Sequence, residues 1–133
     1  MRDRPTGDEL LETARAVLRD ELMPALPANK RHAALMIANA LSIAARQLKN
    51  GDASERGELA ALERLLSEPF SARTDDAPAL REALVAANRK LAQWIRAGRA
   101  DDGHLRDSVR AHLADVVGRK VAESNPKYLG AKA

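Results

Sequence analysis

The stretch RHAALMIANALSIAARQL, residues 31–48, predicts a helix that is apolar on almost every side and carries an amide, Asn39, near its middle. Helical positions advance by about 100° per residue, so one side of this helix is wholly apolar and suits a protein core. That side contains Ile37 and Leu48 in addition to alanines. A helix of this kind has to pack against other helices, which makes an all-α bundle the predicted fold class.

The opposite side of the same helix is apolar but interrupted by hydrogen-bonding groups, and it contains His32, Met36, Asn39 and Arg46. This side must also be covered. In one interpretation another helix of the same chain covers it and satisfies the Asn39 amide, because buried amides are normally hydrogen-bonded. In the other, it packs on a protein partner or a second copy, where a buried Asn fixes register at some cost in stability.

The whole chain is expected to form one domain, a bundle of about five helices spanning residues 1–133, since this length is ample for one continuous core. Apolar stripes at three- and four-residue intervals, separated by capping and breaking residues, set the helices. The predicted helices cover residues 7–22, 29–50, 53–67, 77–97 and 102–123, followed by an extended C-terminal tail.

Local signals mark the ends of these helices. Thr6 and Glu9 have the spacing of a capping box before the first helix. Pro24 and Pro27 are expected to end that helix, because proline lacks an amide donor and forces extended backbone before it. At the other end of the chain, Pro126 predicts that the last helix stops just before it and that the following residues are extended.

The apolar spacing also predicts which side chains face the core. The predicted buried face of the first helix consists of Leu10, Leu11, Ala14, Val17, Leu18 and Leu22. The fourth and fifth helices carry seams with heptad-like spacing. These seams consist of Leu80, Leu84, Ala87 and Leu91, and of Leu105, Val109, Leu113 and Val116.

Composition narrows the class of protein. Hydrophobic residues make up 45% of the chain but aromatic residues only 2%, which suits closely packed helices. The sequence has no cysteine, which fits a reducing compartment. No apolar run approaches the roughly 20 residues that span a bilayer, and the first residues are too charged for a signal peptide. A cytoplasmic location is therefore expected, with no membrane contact.

Charge is unevenly distributed along the chain, although the net charge is only +3. The C-terminal third is basic, and its Lys and Arg residues could neutralise phosphates of a nucleic acid. Acidic residues are interleaved with them, however, and stacking aromatics are nearly absent. The basic residues considered for this role are Arg96, Arg99, Arg106, Arg110, Arg119 and Lys120.

No catalytic, metal-binding or cofactor-binding residue is predicted. The sequence contains no Glu-x-x-His pair of the di-iron type, no nucleophile elbow and no glycine-rich phosphate loop. His104 and His112 are eight residues apart and share a face only loosely, so we interpret both as surface residues. The protein is therefore expected not to be an enzyme and to need no cofactor.

Three stretches together are similar to a known family. They are RPTGDELLETARAVLRDELMPAL at residues 4–26, the stretch at 31–48 and SNPKYL at 124–129. In this combination the chain resembles a family of small all-helical bacterial proteins classed as a domain of unknown function. Members are typically encoded beside an aminoglycoside-phosphotransferase-like kinase and an acyl-CoA dehydrogenase.

The resemblance implies a non-catalytic accessory subunit of that kinase, acting in the catabolism of hydroxyacyl-CoA or related acyl compounds. It also makes the helix face of His32, Met36, Asn39 and Arg46 a candidate interaction site, together with Asn125 and Tyr128 of the tail. Two alternatives stay open: a nucleic-acid-binding helical protein and an independent small-molecule-binding helical protein. A homo-oligomer is compatible with each of the three.

Overall fold

The computed structural model describes residues 4–70 and 76–130, and within these ranges every regular element is helical. The predicted all-α fold class is confirmed. The elements are α1 (Gly7–Val17), a π-helical segment (Leu18–Leu22), α2 (Met23–Ala25), α3 (Ala28–Asn50), α4 (Ala53–Leu66), α5 (Ala77–Arg96), α6 (Gly103–Ser124) and α7 (Pro126–Gly130).

The chain divides into two compact units, Met1–Gly51 and Asp52–Ala133. The boundary follows α3, where Gly51 adopts a φ of 55° that residues with a side chain rarely take. Each unit is described separately below. The assignment of residues 1–133 to one domain stays a prediction.

The first unit begins with the predicted cap. The backbone N–H of Thr6 donates a hydrogen bond to the Glu9 carboxylate at 2.8 Å, as in a capping box. The Thr6 hydroxyl donates to Asp8, and this bond lowers the pKa of the Asp8 carboxyl. Both carboxylates lie in the first turn of α1, where the helix dipole favours negative charge.

The end of the first helix differs from the prediction. Helical backbone continues through Pro24, which lies at the start of α2 directly after the π-helical segment. The break comes at Leu26, whose ψ of 145° is the extended conformation favoured before Pro27.

In the same helix, the side chains that are at least partly buried do not follow the apolar face predicted from the sequence. They step from Leu18 to Met23 across the π-helical segment, which leaves Leu22 exposed. The prediction is also wrong for Leu10, Ala14 and Val17, which are exposed.

Packing in the first unit is between α1 and α3, and it buries only small side chains. The buried residues of α3 are Ala34, Ala38 and Ala45. Alanine lets helix axes approach closely, and Gly7 of α1 assists, since a Cβ at that position would lie 3.1 Å from Leu48. The prediction that Ile37 and Leu48 belong to the core is wrong, because the contact is centred on the alanines and leaves both exposed.

The second unit has a leucine core formed by α4, α5 and α6. Its predicted α5 seam is confirmed, and Leu62 of α4 and Leu80 of α5 are fully buried. The buried core residues are Leu59, Leu62, Leu66, Leu80, Leu84, Ala87, Leu91 and Val109. Phe70 packs on this core, and its N–H donates to the Glu63 carboxylate at 2.8 Å, which fixes the start of the connection to α5. Residues 71–75 of that connection lie outside the described residues.

The predicted seam of α6 is wrong at one position. His112 is buried and Leu113 is exposed, whereas the sequence suggested the reverse. Both choices fit a three-and-four spacing, but His112 lies closer than Leu113 to the helix face shared by Leu105, Val109 and Val116, of which Leu105 and Val109 belong to or pack on the core. Apolarity favoured the leucine, and helix geometry places the histidine inside.

The Arg119 side chain connects α6 to α4. Its guanidinium pairs with Asp115 one turn earlier and donates to the Ser54 carbonyl at 3.4 Å. Gly57 of α4 leaves room for this side chain, because a Cβ there would lie 3.1 Å from Arg119 Nη1. The hydrogen bond from Arg119 lowers the pKa of the Asp115 carboxyl.

The C-terminal segment is not an extended tail up to residue 130. Pro126–Gly130 forms the short helix α7. Pro126 stops α6 as predicted but then starts a new helical turn, since proline is well suited to a first helical position. The Asn125 carbonyl accepts a hydrogen bond from the Tyr128 N–H at 3.0 Å. Residues 131–133 lie outside the described residues.

Replacing Gly118 by Ala should stabilise the protein by about 0.5–1 kcal/mol, because glycine within a helix carries an entropic cost. A Cβ at Gly118 would meet no atom within 4 Å. Urea unfolding measures the change. Gly57→Ala is the matched control: its gain should be smaller, since Arg119 has to move. A larger gain at Gly57 than at Gly118 would contradict the described packing.

The pKa of Asp115 provides a second test. An NMR titration should give a midpoint below the usual value for aspartate, and Arg119→Gln should raise it. Because the folded-state pKa is lowered, the stabilisation is complete above the ordinary pKa and is lost as the pH falls through the lowered one. An unchanged midpoint in Arg119→Gln would show that the hydrogen bond is absent in solution.

Candidate interaction surface

The predicted interaction residues of the first unit all lie on α3. His32, Met36 and Asn39 are exposed, and Arg46 is half-buried with its Nη1 donating to the Ser42 hydroxyl at 2.7 Å. Spacings of three, four and seven residues place the four side chains on one side of the helix. The structure therefore brings them to the same face, as the sequence predicted.

Asn39 is exposed rather than buried. Within the first unit, none of the described helices covers Asn39, so the interpretation in which another helix of the same chain does so stays a prediction. The reason for its exposure is that α1 packs against Ala34 and Ala38, which point away from Asn39. Within the first unit this amide is accessible to solvent.

Two exposed apolar side chains lie beside Asn39 on the same side of α3, Leu35 four residues earlier and Met36 three residues earlier. Leu35, Met36 and Ile37 follow one another along α3, so they point in three directions roughly 100° apart and cover the part of the helix that faces away from α1. Met36 and Ile37 are each 55% exposed. We call Leu35, Met36 and Asn39 the α3 surface; Ile37, two residues before Asn39, is exposed on another side of the helix. Three exposed large apolar residues in a row are unusual for a helix that faces water and are typical of a binding surface.

The charges of α3 complete the description of this helix. Lys30 and Arg31 lie in its first turn and Lys49 in its last, and the helix contains no acidic residue. Residues 33–45 carry no charge. The α3 surface therefore lies in an uncharged stretch between basic ends and is suited to apolar and hydrogen-bonding contacts rather than to proton transfer.

The two remaining candidates, Asn125 and Tyr128, lie in the second unit. Asn125 ends α6 with its backbone N–H bonded to the Val121 carbonyl at 2.7 Å. Tyr128 belongs to α7 and is 63% exposed. Asn125 has a structural role in the turn between the helices, whereas the Tyr128 ring is available for contact.

Basic residues of the C-terminal third are partly engaged within the second unit. The Arg99 guanidinium stacks 3.9 Å above the Trp94 ring, Arg119 pairs with Asp115, and Arg106 lies 3.5 Å from Asp107. Their positive charge is less available to phosphates than the sequence alone suggests. The nucleic-acid alternative stays a prediction with less support.

A shallow open groove beside α4 bears on the small-molecule alternative. It is lined by Ala60, Glu63, Arg64, Glu68 and Pro69. The Glu63 carboxylate already accepts the Phe70 N–H, and Glu68 pairs with Lys90. The two carboxylates therefore have structural partners, and the groove lacks the enclosure of a typical ligand pocket.

One of the two histidines predicted to lie at the surface is buried. His104 is exposed as predicted, but His112 is only 9% exposed, and in the described chain its Nε2 has no hydrogen-bond partner. Residues 4–70 and 76–130 contain no group of three or more His, Cys, Asp or Glu side chains placed so that they could hold a metal ion.

Over the same ranges, none of the helices has the length and apolarity needed to cross a membrane.

Comparison with known proteins gives one result. A family model described as Domain of unknown function (DUF6285) matches residues 24–128. The chain belongs to this family. The matched range contains all of α3 and therefore the whole α3 surface. No curated protein and no solved structure matches the chain significantly.

Hydrogen exchange should report the difference between the two cores of this DUF6285 member. We expect amides of α3 to be protected at least about tenfold less than those around Leu62 and Leu80, because a contact made of alanines buries little apolar area. The leucine core serves as the control within the same experiment. Equal protection in both regions would contradict this expectation.

Proposed function

We propose that this DUF6285 protein is a non-catalytic accessory subunit that binds an aminoglycoside-phosphotransferase-like kinase acting in the catabolism of hydroxyacyl-CoA or related acyl compounds. The kinase would supply the phosphoryl chemistry. The identity of the partner rests on the family resemblance, in which such a kinase is typically encoded beside these proteins. The exposed apolar residues of α3 support the proposal.

The observation that carries the proposal is the exposure of the α3 surface. Burying a large apolar side chain is worth about 1.5–3 kcal/mol, and the first unit leaves most of this gain unused. Its large exposed side chains are Leu10, Val17, Leu22, Leu35, Met36, Ile37 and Leu48. A protein partner that covers α3 would recover part of that energy and would also bond the Asn39 amide.

The polar residues near α3 favour a specific partner over indiscriminate adhesion. Asn39 lies among the apolar side chains and requires a hydrogen-bonding group opposite it once water is excluded. The basic N-terminal end of α3 adds a preference for an acidic partner surface, because Lys30 and Arg31 have no acidic neighbour on their own helix, whereas Lys49 interacts with Asp8 of α1.

Co-expression with the kinase tests the proposal directly. The two proteins should elute together in size-exclusion chromatography, and Met36→Glu should separate them, because the complex would then bury an unpaired carboxylate. Since Met36 is exposed, this substitution should change the free energy of unfolding by no more than about 0.5 kcal/mol.

Ala86→Glu is the matched control, because it places the same charge on an exposed position of α5. It should leave co-elution intact. Separate elution of the unsubstituted proteins, together with unchanged kinase activity, would overturn the proposal. Equal loss of binding in both variants would show that net charge, and not the α3 surface, controls the association.

A further inference from the structure

A second face of α6 is unoccupied in the second unit. It consists of Arg106, Arg110, Leu113, Val117 and Lys120, which we call the α6 stripe. Successive members are separated by four, three, four and three residues, the spacing of the seam of a coiled coil. The helix thus has one face in the leucine core, through Val109, and a separate face with the spacing used to bind another helix.

The centre of the α6 stripe is apolar and accessible. Leu113 is 42% exposed and Val117 is 56% exposed, and the two lie one turn apart. Neither contributes to the buried core of the unit. A pair of exposed aliphatic residues at this spacing offers two adjacent knobs to a facing helix.

Two basic side chains flank this centre symmetrically. Arg110 lies three residues before Leu113, and Lys120 lies three residues after Val117. Both are exposed, and among the residues described neither forms a salt bridge. Of the acidic residues near them in sequence, Asp107 lies beside Arg106, Asp115 pairs with Arg119, and, within the described residues, Glu123 lies three residues after Lys120 without a salt bridge to it.

We propose that the α6 stripe binds an amphipathic helix of a protein partner whose apolar centre is flanked by carboxylates. In such a pair Leu113 and Val117 pack on apolar residues, and each of Arg110 and Lys120 meets a carboxylate. This inference rests on the proposed function, because it assigns an additional contact surface to the same partner.

Charge argues against a second copy of α6 as the occupant. In an antiparallel pair centred on Leu113 and Val117, Arg110 of one copy would face Lys120 of the other. In a parallel pair each basic residue would face its own counterpart. Both arrangements oppose like charges, which destabilises a helix pair.

The apolar centre argues against nucleic acid. Phosphate binding gains nothing from Leu113 and Val117, and an apolar pair between the two basic residues interrupts the positive surface that would follow a phosphate backbone. Arg106 also has its charge partly neutralised by Asp107. The pattern of basic, apolar, apolar and basic residues is complementary to a helix with the same spacing and opposite charge.

A charge-exchange experiment tests the α6 stripe with defined probes. Two stapled helical peptides of about 18 residues, long enough to hold helical structure, carry E-x-x-L-x-x-x-L-x-x-E or the same pattern with Lys in place of Glu. Fluorescence anisotropy should show that the full chain binds the Glu peptide at least about tenfold more tightly than the Lys peptide, equivalent to about 1.4 kcal/mol. The variant R110E/K120E should reverse this preference.

The matched control is R89E/R96E, which makes the same change in net charge on exposed positions of α5. It should keep the preference for the Glu peptide, and circular dichroism checks that both variants stay helical. Equal affinity for the two peptides, or a preference lost equally in both variants, would overturn the inference. So would duplex DNA displacing the Glu peptide, or R110E/K120E abolishing a dimer of the unsubstituted chain.

The same variants separate this inference from the proposed function. If the kinase co-elutes equally with the unsubstituted chain and with R110E/K120E, and neither peptide binds, the α6 stripe is not a docking surface although the accessory role holds. If the charge exchange succeeds and the kinase elutes separately, the stripe binds acidic helices and the kinase is not the partner.

Discussion

The properties of the first unit depend on the burial of alanine between α1 and α3. Alanine side chains allow a close approach of two helices, but they remove little apolar area from water. Once Ala34, Ala38 and Ala45 occupy the contact, the larger residues of α3 can only point elsewhere. The exposure of Leu35, Met36 and Ile37 therefore follows from which residues form the contact, and it leaves these side chains available to a partner.

The second unit packs its helices through large side chains instead of alanines. Leu62 and Leu80 are completely removed from solvent, and their neighbours form one continuous leucine core. Such a core is sufficient to hold three helices together, so α6 can carry a second, exposed pattern without loss of packing. One unit thus exposes apolar residues because its core is small, and the other because a helix has more faces than its neighbours can cover.

Much of this fold could be predicted from the sequence, because short-range rules set helix ends. The Thr6 cap, Gly51 and Pro126 each act within a few residues, and the predicted boundaries of the five long helices are close to those observed. Residue placement on faces was less predictable. Helical periodicity identifies several apolar sides on α3 and two possible seams on α6, but it cannot decide which side meets a neighbour. Ile37, Leu113 and His112 were misplaced for this reason. Of the candidate site, the common face of His32, Met36 and Asn39 followed from spacing, and its exposure did not.

The π-helical segment Leu18–Leu22 has a consequence for comparing this chain with its relatives. A π-helical turn contains one residue more than an α-helical turn, which is why the covered positions step from Leu18 to Met23. In structural terms the segment is a one-residue insertion absorbed without breaking the helix. A relative with a regular α-helix here needs one residue fewer, so an alignment drawn through this segment without a gap shifts all of α1 out of phase. The family match begins at residue 24, just after that point.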